Sequence, residues 1–236
     1  MLKRITPMIV LFALAAVGLL ATTAAATSRR EDVERIQRSA EVFHEIMATP
    51  DRAIPQELIG SAKCIAIIPG EKQLAFMVGG KYGKGLVTCR TAHGWSAPAF
   101  LAVSGGSYGF QIGGASTDIV MIFRNRSGLK NLLSDKFRIG AGATAAAGPV
   151  GRNVSADTDI KLKAEILTYA RSRGVFAGVS LNGAVVQPDG SGNRAMYGAG
   201  VTSEQIVAGT VRTPSVAHAL TAEISRYSGR EAASLR

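Results

Sequence analysis

Apolar residues recur at Val33, Ile36, Ala40, Phe43, Ile46 and Met47. Steps of three and four lay such residues in one stripe along a helix. Ser28 and Glu31 stand at capping-box spacing at its start, and Pro50 closes it. Arg29, Arg30, Arg35 and Arg38 fall off the stripe, which makes them the expected polar face. A second short helix is predicted from Pro55, a good first-turn residue, and carries Leu58 and Ile59.

From Lys63 the pattern changes to short apolar, β-branched runs at 64–68, 74–78, 86–89, 99–103, 110–112 and 118–123. Pro69-Gly70, Gly79-Gly80, His93-Gly94 and Gly105-Gly106 separate them. Such runs at close intervals predict an antiparallel sheet, curved as a barrel or sandwich. Ser127-Gly128 opens a short helix holding Leu129, Leu132 and Leu133. The Ala/Gly stretch 140–151 lacks serine and charge, which argues for close backbone packing rather than a linker. Residues 164–170 and 175–181 read as a hairpin around Arg173-Gly174, with a helix over 159–171 as the alternative. Residues 185–193 read as a polar turn region. Thr202 and Gln205 have capping-box spacing, and Thr213-Pro214 starts a last helix with Val216, Leu220, Ile224 and Tyr227 on one side. The expected fold class is α+β: a curved antiparallel sheet, barrel- or sandwich-like, with flanking N- and C-terminal helices. No internal repeat divides the chain.

Composition agrees with a folded domain: 236 residues, 47% hydrophobic and 19% charged. The beginning of the chain changes the picture. Lys3-Arg4, an apolar run over 8–21, and small residues at Ala24 and Ala26 predict a signal peptide over 1–26, with a mature chain from about Thr27. An uncleaved membrane anchor is the alternative. The expected location is therefore exported, periplasmic or secreted, with membrane association. The formal charge is +10, and removal of Lys3 and Arg4 leaves +8. A basic exported protein is drawn to anionic surfaces, while nucleic acid is not an expected partner outside the cytoplasm. Export also puts Cys64 and Cys89 in an oxidising compartment, where a disulfide and two buried thiols both fit their strand-like settings.

The chemistry-bearing residues exclude more than they assign. His44, His93 and His218 are scattered, and no Gly-x-Ser-x-Gly elbow occurs, so no hydrolase triad is expected. Two cysteines and three histidines do not make a zinc site, and neither metal nor cofactor is expected. Gly80-Lys81-Tyr82-Gly83-Lys84-Gly85 resembles a phosphate loop only superficially, because a strand follows and no Ser or Thr follows the lysine. As a glycine-rich turn, its amides together with Lys81 and Lys84 could hold an anionic headgroup. Asp118, inside an apolar run, is expected to pair with an arginine or accept backbone amides. Arg124, Arg126 and Lys130 flank the helix start at Ser127-Gly128, and Arg152 follows Gly148-Pro149-Val150-Gly151. A helix start with guanidinium groups nearby suits phosphate, and a solvated basic rim is the alternative.

These segments together resemble the SYLF family. The resemblance is carried by 62–69 and 78–85, and by Gly94-Trp95-Ser96-Ala97-Pro98-Ala99-Phe100, Gly109-Phe110-Gln111-Ile112-Gly113 and Thr117-Asp118. It continues through 147–152 and 169–181, and runs from about Arg35 to Gly209. It implies one domain over 27–236 and a lipid-binding, non-enzymatic role. Eukaryotic members often bind phosphoinositides, and yeast and animal relatives bind actin or work beside actin machinery, usually with an SH3 domain. The predicted leader and the expected lack of an SH3-like extension set this chain apart, so actin binding is not expected. The expected function is binding of anionic phospholipid at the bacterial envelope. The expected headgroup contacts are Lys81, Lys84, Arg124, Arg126, Lys130 and Arg152, with Arg29, Arg30, Arg35 and Arg38 as a membrane-facing helix. The alternative is a structural or scaffolding envelope protein that binds a protein or polymer.

Overall fold

The computed structural model describes residues 28–49, 53–75, 78–108, 113–125, 137–139, 145–149, 164–172, 175–178, 181 and 183–229. Helix α1 covers 28–47 and α2 covers Gln56–Ser61, with Pro55 at its N-cap. The strands follow: β1 (Cys64–Ala75), β2 (Val78–Thr91), β3 (Gly94–Trp95), β4 (Ala99–Tyr108), β5 (Gly113–Phe123), β6 (Phe137–Arg138), β7 (Ala145–Ala147), β8 (Ile166–Ser172), β9 (Val175–Gly178) and β10 (Val185–Pro188). Helices α3 (Gly190–Tyr197), α4 (Ser203–Val207) and α5 (His218–Ser228) complete the chain, with a 3-10 turn at Ser215–Ala217 before α5.

The fold is α+β, with one strongly curled, half-barrel sheet and helices from both ends of the chain. Its strand order is β6-β10-β4-β2-β1-β5-β8-β7, with β3 on β2 and β9 on β8. The described pairings are antiparallel except β7 with β8. Apolar side chains of the central strands alternate between two buried faces. Ile65, Ile67, Leu86, Phe100, Val120 and Leu167 meet α1, α2 and α5. Cys64, Ala66, Ile68, Val87, Leu101, Met121 and Phe123 pack on the other face with Val186, Ile206 and Val207. Burial on both faces explains why the strands read as continuous apolar runs rather than as an alternation.

Several sequence expectations need correction. Pro69-Gly70 does not end a strand: it lies in a bulge between Ile67 and Lys72, and β1 continues to Ala75. Gly70 takes a φ of +64°, and its N–H donates to Asp118 Oδ1 at 2.9 Å, so the kink holds its own backbone donor. The glycine-rich 80–85 segment is not a turn. It is the middle of β2, paired with β1 on one side and β4 on the other. Gly85 serves packing, since a Cβ there would lie 2.3 Å from the Ile67 carbonyl oxygen. Gly105-Gly106 likewise lies inside β4. Residues 185–193 form β10 and the start of α3 instead of a polar turn.

Other readings hold. Asp118 both accepts the Gly70 amide and pairs with Arg171. β8 and β9 form the expected hairpin, and 166–172 is strand, not helix. Thr202 and Gln205 make a reciprocal capping box. Close packing in the small-residue stretch is visible at Gly148, where a Cβ would lie 2.1 Å from the Tyr169 ring. The helix read from Ser127-Gly128 lies outside the described residues. Cys64 and Cys89 stand opposite each other in the β1–β2 register with Cα atoms 4.0 Å apart, and they form a disulfide. The neighbouring pair exchanges the bond from Arg90 N–H to the Lys63 carbonyl, which leaves the cysteines at a non-hydrogen-bonded position, where opposed side chains come closest.

Candidate functional site: a groove over a buried ionic cluster

Helix α1 crosses the sheet with an inward face that is not wholly apolar. Asp32, Arg35 and Ser39 are buried along with Ile36, Val42 and Phe43. Arg35 Nη2 bonds Asp32 Oδ1 at 3.0 Å, and Nη1 bonds Asp189 Oδ2 at 3.1 Å. Its guanidinium lies over the Phe100 ring, 5.1 Å from the centroid. A buried guanidinium is tolerated when its donors and its flat faces are occupied in this way.

Asp189 caps α3. It accepts the Gly192 N–H at 3.1 Å and the Ser191 hydroxyl at 2.5 Å, and Lys84 Nζ approaches at 3.6 Å. Burial pushes this carboxyl up, but the bonds from Ser191, Gly192 and Arg35 and the Lys84 charge outweigh it and hold the group down at about 2. Asp32 goes the other way. Burial raises its pKa, and the Arg35 charge only partly offsets that. The approach of α3 depends on a missing side chain, because a Cβ on Gly192 would lie 3.1 Å from Phe100 and 3.2 Å from Asp32 Oδ1. Asn193 fixes α3 further: its Oδ1 accepts the Phe100 N–H at 2.8 Å.

Above this cluster lies a groove of about 380 Å³. Helix α1 contributes Glu31, Glu34, Arg35 and Arg38, the β1 bulge contributes Pro69-Gly70, and β2 contributes Tyr82, Gly83 and Lys84. Tyr82 is 51% exposed and is the large hydrophobic residue most open to solvent among the described residues. Arg38 and Lys84 can meet an anion, and the Tyr82 ring offers an apolar wall. Among the described residues no His/Cys/Asp/Glu group is arranged to hold a metal, and no helix is long and apolar enough to cross a membrane.

The expected basic site is thus only partly brought together. Lys84 and Arg38 reach the groove. Lys81 is a β2 residue whose side chain lies outside the described set, and its backbone amide belongs to a central strand rather than to an anion-binding loop. Arg124 follows β5, next to the Cys64 end of β1, and its N–H bonds the Glu165 carbonyl. Five residues of strand separate that end from Pro69, roughly 16 Å, so Arg124 does not join the groove. Arg126, Lys130 and Arg152 lie outside the described residues. On α1, Arg29 bonds the Ala195 carbonyl and Arg30 pairs with Glu34 at the surface. Arg35 is a correction: it is 7% exposed and faces inward, not toward a membrane. Sequence reading missed Asp32, Tyr82 and Asp189. The i,i+3 spacing of Asp32 with Arg35 and the cap-like Asp189-Gly190-Ser191-Gly192 were the available signals.

Comparison with known proteins adds context. Residues 104–227, from β4 into α5, match the Ysc84 family, described as Las17-binding protein actin regulator. SH3 domain-containing YSC84-like protein 1 of Rattus norvegicus is 31% identical over 195 residues, covering 81% of this chain and 57% of that protein. The Xenopus laevis protein of the same name is 33% identical over 174 residues, 72% of this chain and 52% of its own. LAS seventeen-binding protein 3 of Saccharomyces cerevisiae is 32% identical over 168 residues, 70% and 36%. The chain therefore spans little more than half the length of the animal relatives it matches.

Proposed function

The chain belongs to the Ysc84 family, and from that premise we propose that it is a non-catalytic binding module that takes an anionic phospholipid headgroup into the groove between α1 and β2. The single observation that carries this reading is the groove itself. Arg38 and Lys84 face one headgroup-sized space beside an exposed tyrosine. Guanidinium and ammonium groups bind phosphate oxygens, and a ring beside them suits the membrane–water boundary. The net basic charge supports approach to an acidic surface. The relatives' names describe binding and SH3-containing proteins rather than enzymes, in keeping with a binding role. The proposal includes an envelope membrane as the location, on the expectation of a leader over 1–26, and N-terminal sequencing that still found Met1 on the exported protein would remove that part.

The test is co-sedimentation with acidic vesicles at two salt concentrations. Each basic group near acidic lipid contributes about 1 kcal/mol, so Arg38→Gln with Lys84→Gln should weaken binding by about ten- to thirty-fold at low salt and less at high salt. A folded double variant that sediments like the parent would move the site elsewhere. The second reading is a protein partner, favoured by the name of the budding-yeast relative. Vesicle binding unaffected by the groove variants, together with loss of a copurifying protein, would favour it.

A further inference from the structure

Two buried carboxylates share Arg35, and they are not equally employed. Asp189 takes donors from Gly192 N–H, the Ser191 hydroxyl and Arg35, with Lys84 close by. Asp32, at 2% exposure, uses Oδ1 on Arg35, while its Oδ2 has no hydrogen-bond partner among the described residues. Arg35 and Lys84 also line the groove. One set of charges therefore serves the buried cluster and the ligand space together.

We propose that Asp32 is a proton-operated gate on the anion affinity of the groove; this rests on the headgroup reading above. With both carboxylates ionised, Asp32 and Asp189 balance Arg35 and Lys84. A proton taken from solvent onto Asp32 leaves one positive charge unbalanced on the groove floor. No bond other than O–H forms, and Asp189, capping α3, keeps α3 in place. The groups that face Asp32 are Glu31 and Arg35 on α1, Asp189 at the α3 cap, Lys84 on β2 and Tyr197 on α3. Gly192 of α3 packs closely against its Oδ1. Its Oδ2 is buried without a partner among the described residues, so the neutral acid is the better-tolerated form as pH falls. Burial acts in the same sense, raising the Asp32 pKa against the pull of Arg35. Anion binding in the groove should then strengthen in mild acid, the reverse of a site whose carboxylates only hold structure.

The experiment uses the full mature chain, vesicles of phosphatidylglycerol in phosphatidylcholine, and, separately, inorganic sulfate followed by the NMR shifts of the Arg38 and Lys84 side chains. Both probes keep their charge between pH 7.5 and 5. The comparison is parent against Asp32→Asn, which cancels charge changes elsewhere on the chain. The variant keeps the shape and is neutral at every pH. It should bind about five-fold tighter than the parent at pH 7.5, the order expected of one partly screened charge at close range, and the difference should narrow as pH falls. Equal pH slopes for parent and variant would overturn the gate. If the variant fails to fold, the parent's Asp32 carboxyl carbon is titrated instead. Its midpoint must coincide with the rise in sulfate affinity, and a midpoint that does not coincide also overturns the gate. Sulfate binding that is gated while vesicles are ignored keeps the gate and removes the phospholipid reading. Vesicle binding with no Asp32 dependence does the opposite.

Discussion

Helix α1 is tied down by an arginine near each end, and the two ties differ in kind. Toward its start, Arg35 is buried at 7% of its side chain, between Asp32 and Asp189 at 3% and 8%. Toward its end, Glu45 meets Arg171 of β8, which holds Asp118 of β5 at 2.7 Å. There Arg171 and Asp118 keep 22% and 20% exposure, and Glu45 keeps 56%. The same pair chemistry therefore works in two dielectric settings. The Arg171 group can trade partners with water. The Arg35 group cannot, and each of its members depends on the others. A buried pair is weak evidence of added stability, but breaking one is costly because a charge is left behind. The groove between α1 and β2 lies over the tie that cannot relax.

The largest test of this contrast is Arg35→Met against Arg171→Met. Loss of Arg35 strands two buried carboxylates and should cost about 3–5 kcal/mol in urea unfolding. Loss of Arg171 leaves Asp118 with the Gly70 amide and access to water, and should cost about 1–2 kcal/mol. Equal losses would erase the distinction between the two ends.

A smaller effect sharpens it through pH. Asp189 is depressed to about 2, so its stabilisation is present above the unfolded carboxylate range near 4. It is lost as pH falls toward 2, amounting to about 2 kcal/mol. Asp32 is raised, so its contribution has the opposite sign: fully present below the unfolded value and lost as pH rises through the folded one. Stability should therefore be greatest in mild acid, above the Asp189 loss and below the Asp32 penalty. In Asp32→Asn the decline toward neutral pH should shrink. An unchanged profile would mean that Asp32 carries no strain.

Next comes Gly192→Ala, expected to cost about 1 kcal/mol. A helix interior ordinarily gains from that change, but here the new methyl would lie 3.1 Å from Phe100 and 3.2 Å from Asp32 Oδ1. Asp32 is held by Arg35 and cannot give way freely. A stabilised variant would show that the cluster is softer than its geometry implies.

The sheet was more legible than the site. The runs at 64–68 and 118–123, the hairpin at 166–178 and the capping box at Thr202 follow from local pattern, and local pattern is what sequence reading sees. The errors share one cause. Pro69-Gly70 and the glycines of β2 read locally as turns, yet long-range pairing makes them a bulge and a central strand. Periodicity assigns charged residues outward and so puts Arg35 on the solvent face. What brings it inward is Asp189, 154 residues away, a partner no local rule could supply. Lys84 and Arg38 are legible as basic candidates, but their convergence depends on how α1 crosses β2, and that is tertiary information.

The smallest predicted effect is the most demanding control. Arg30 and Arg35 lie five residues apart on one helix, and each pairs with a carboxylate within a turn, Arg30 with Glu34 at 3.2 Å and Arg35 with Asp32 at 3.0 Å. By distance alone the two are equivalent. By exposure they are not: Arg30 and Glu34 keep 82% and 57% of their side-chain surface. Water already solvates both, the ordering of two long side chains opposes the attraction, and salt screens what remains. Arg30→Ala should therefore change stability by less than about 0.5 kcal/mol, and part of that should vanish at high salt. Alanine's helix propensity offsets even this. A loss near that of Arg35→Met would mean that proximity to a carboxylate, rather than removal from water, sets the strength of the ties on α1, and the contrast between its ends would have no basis.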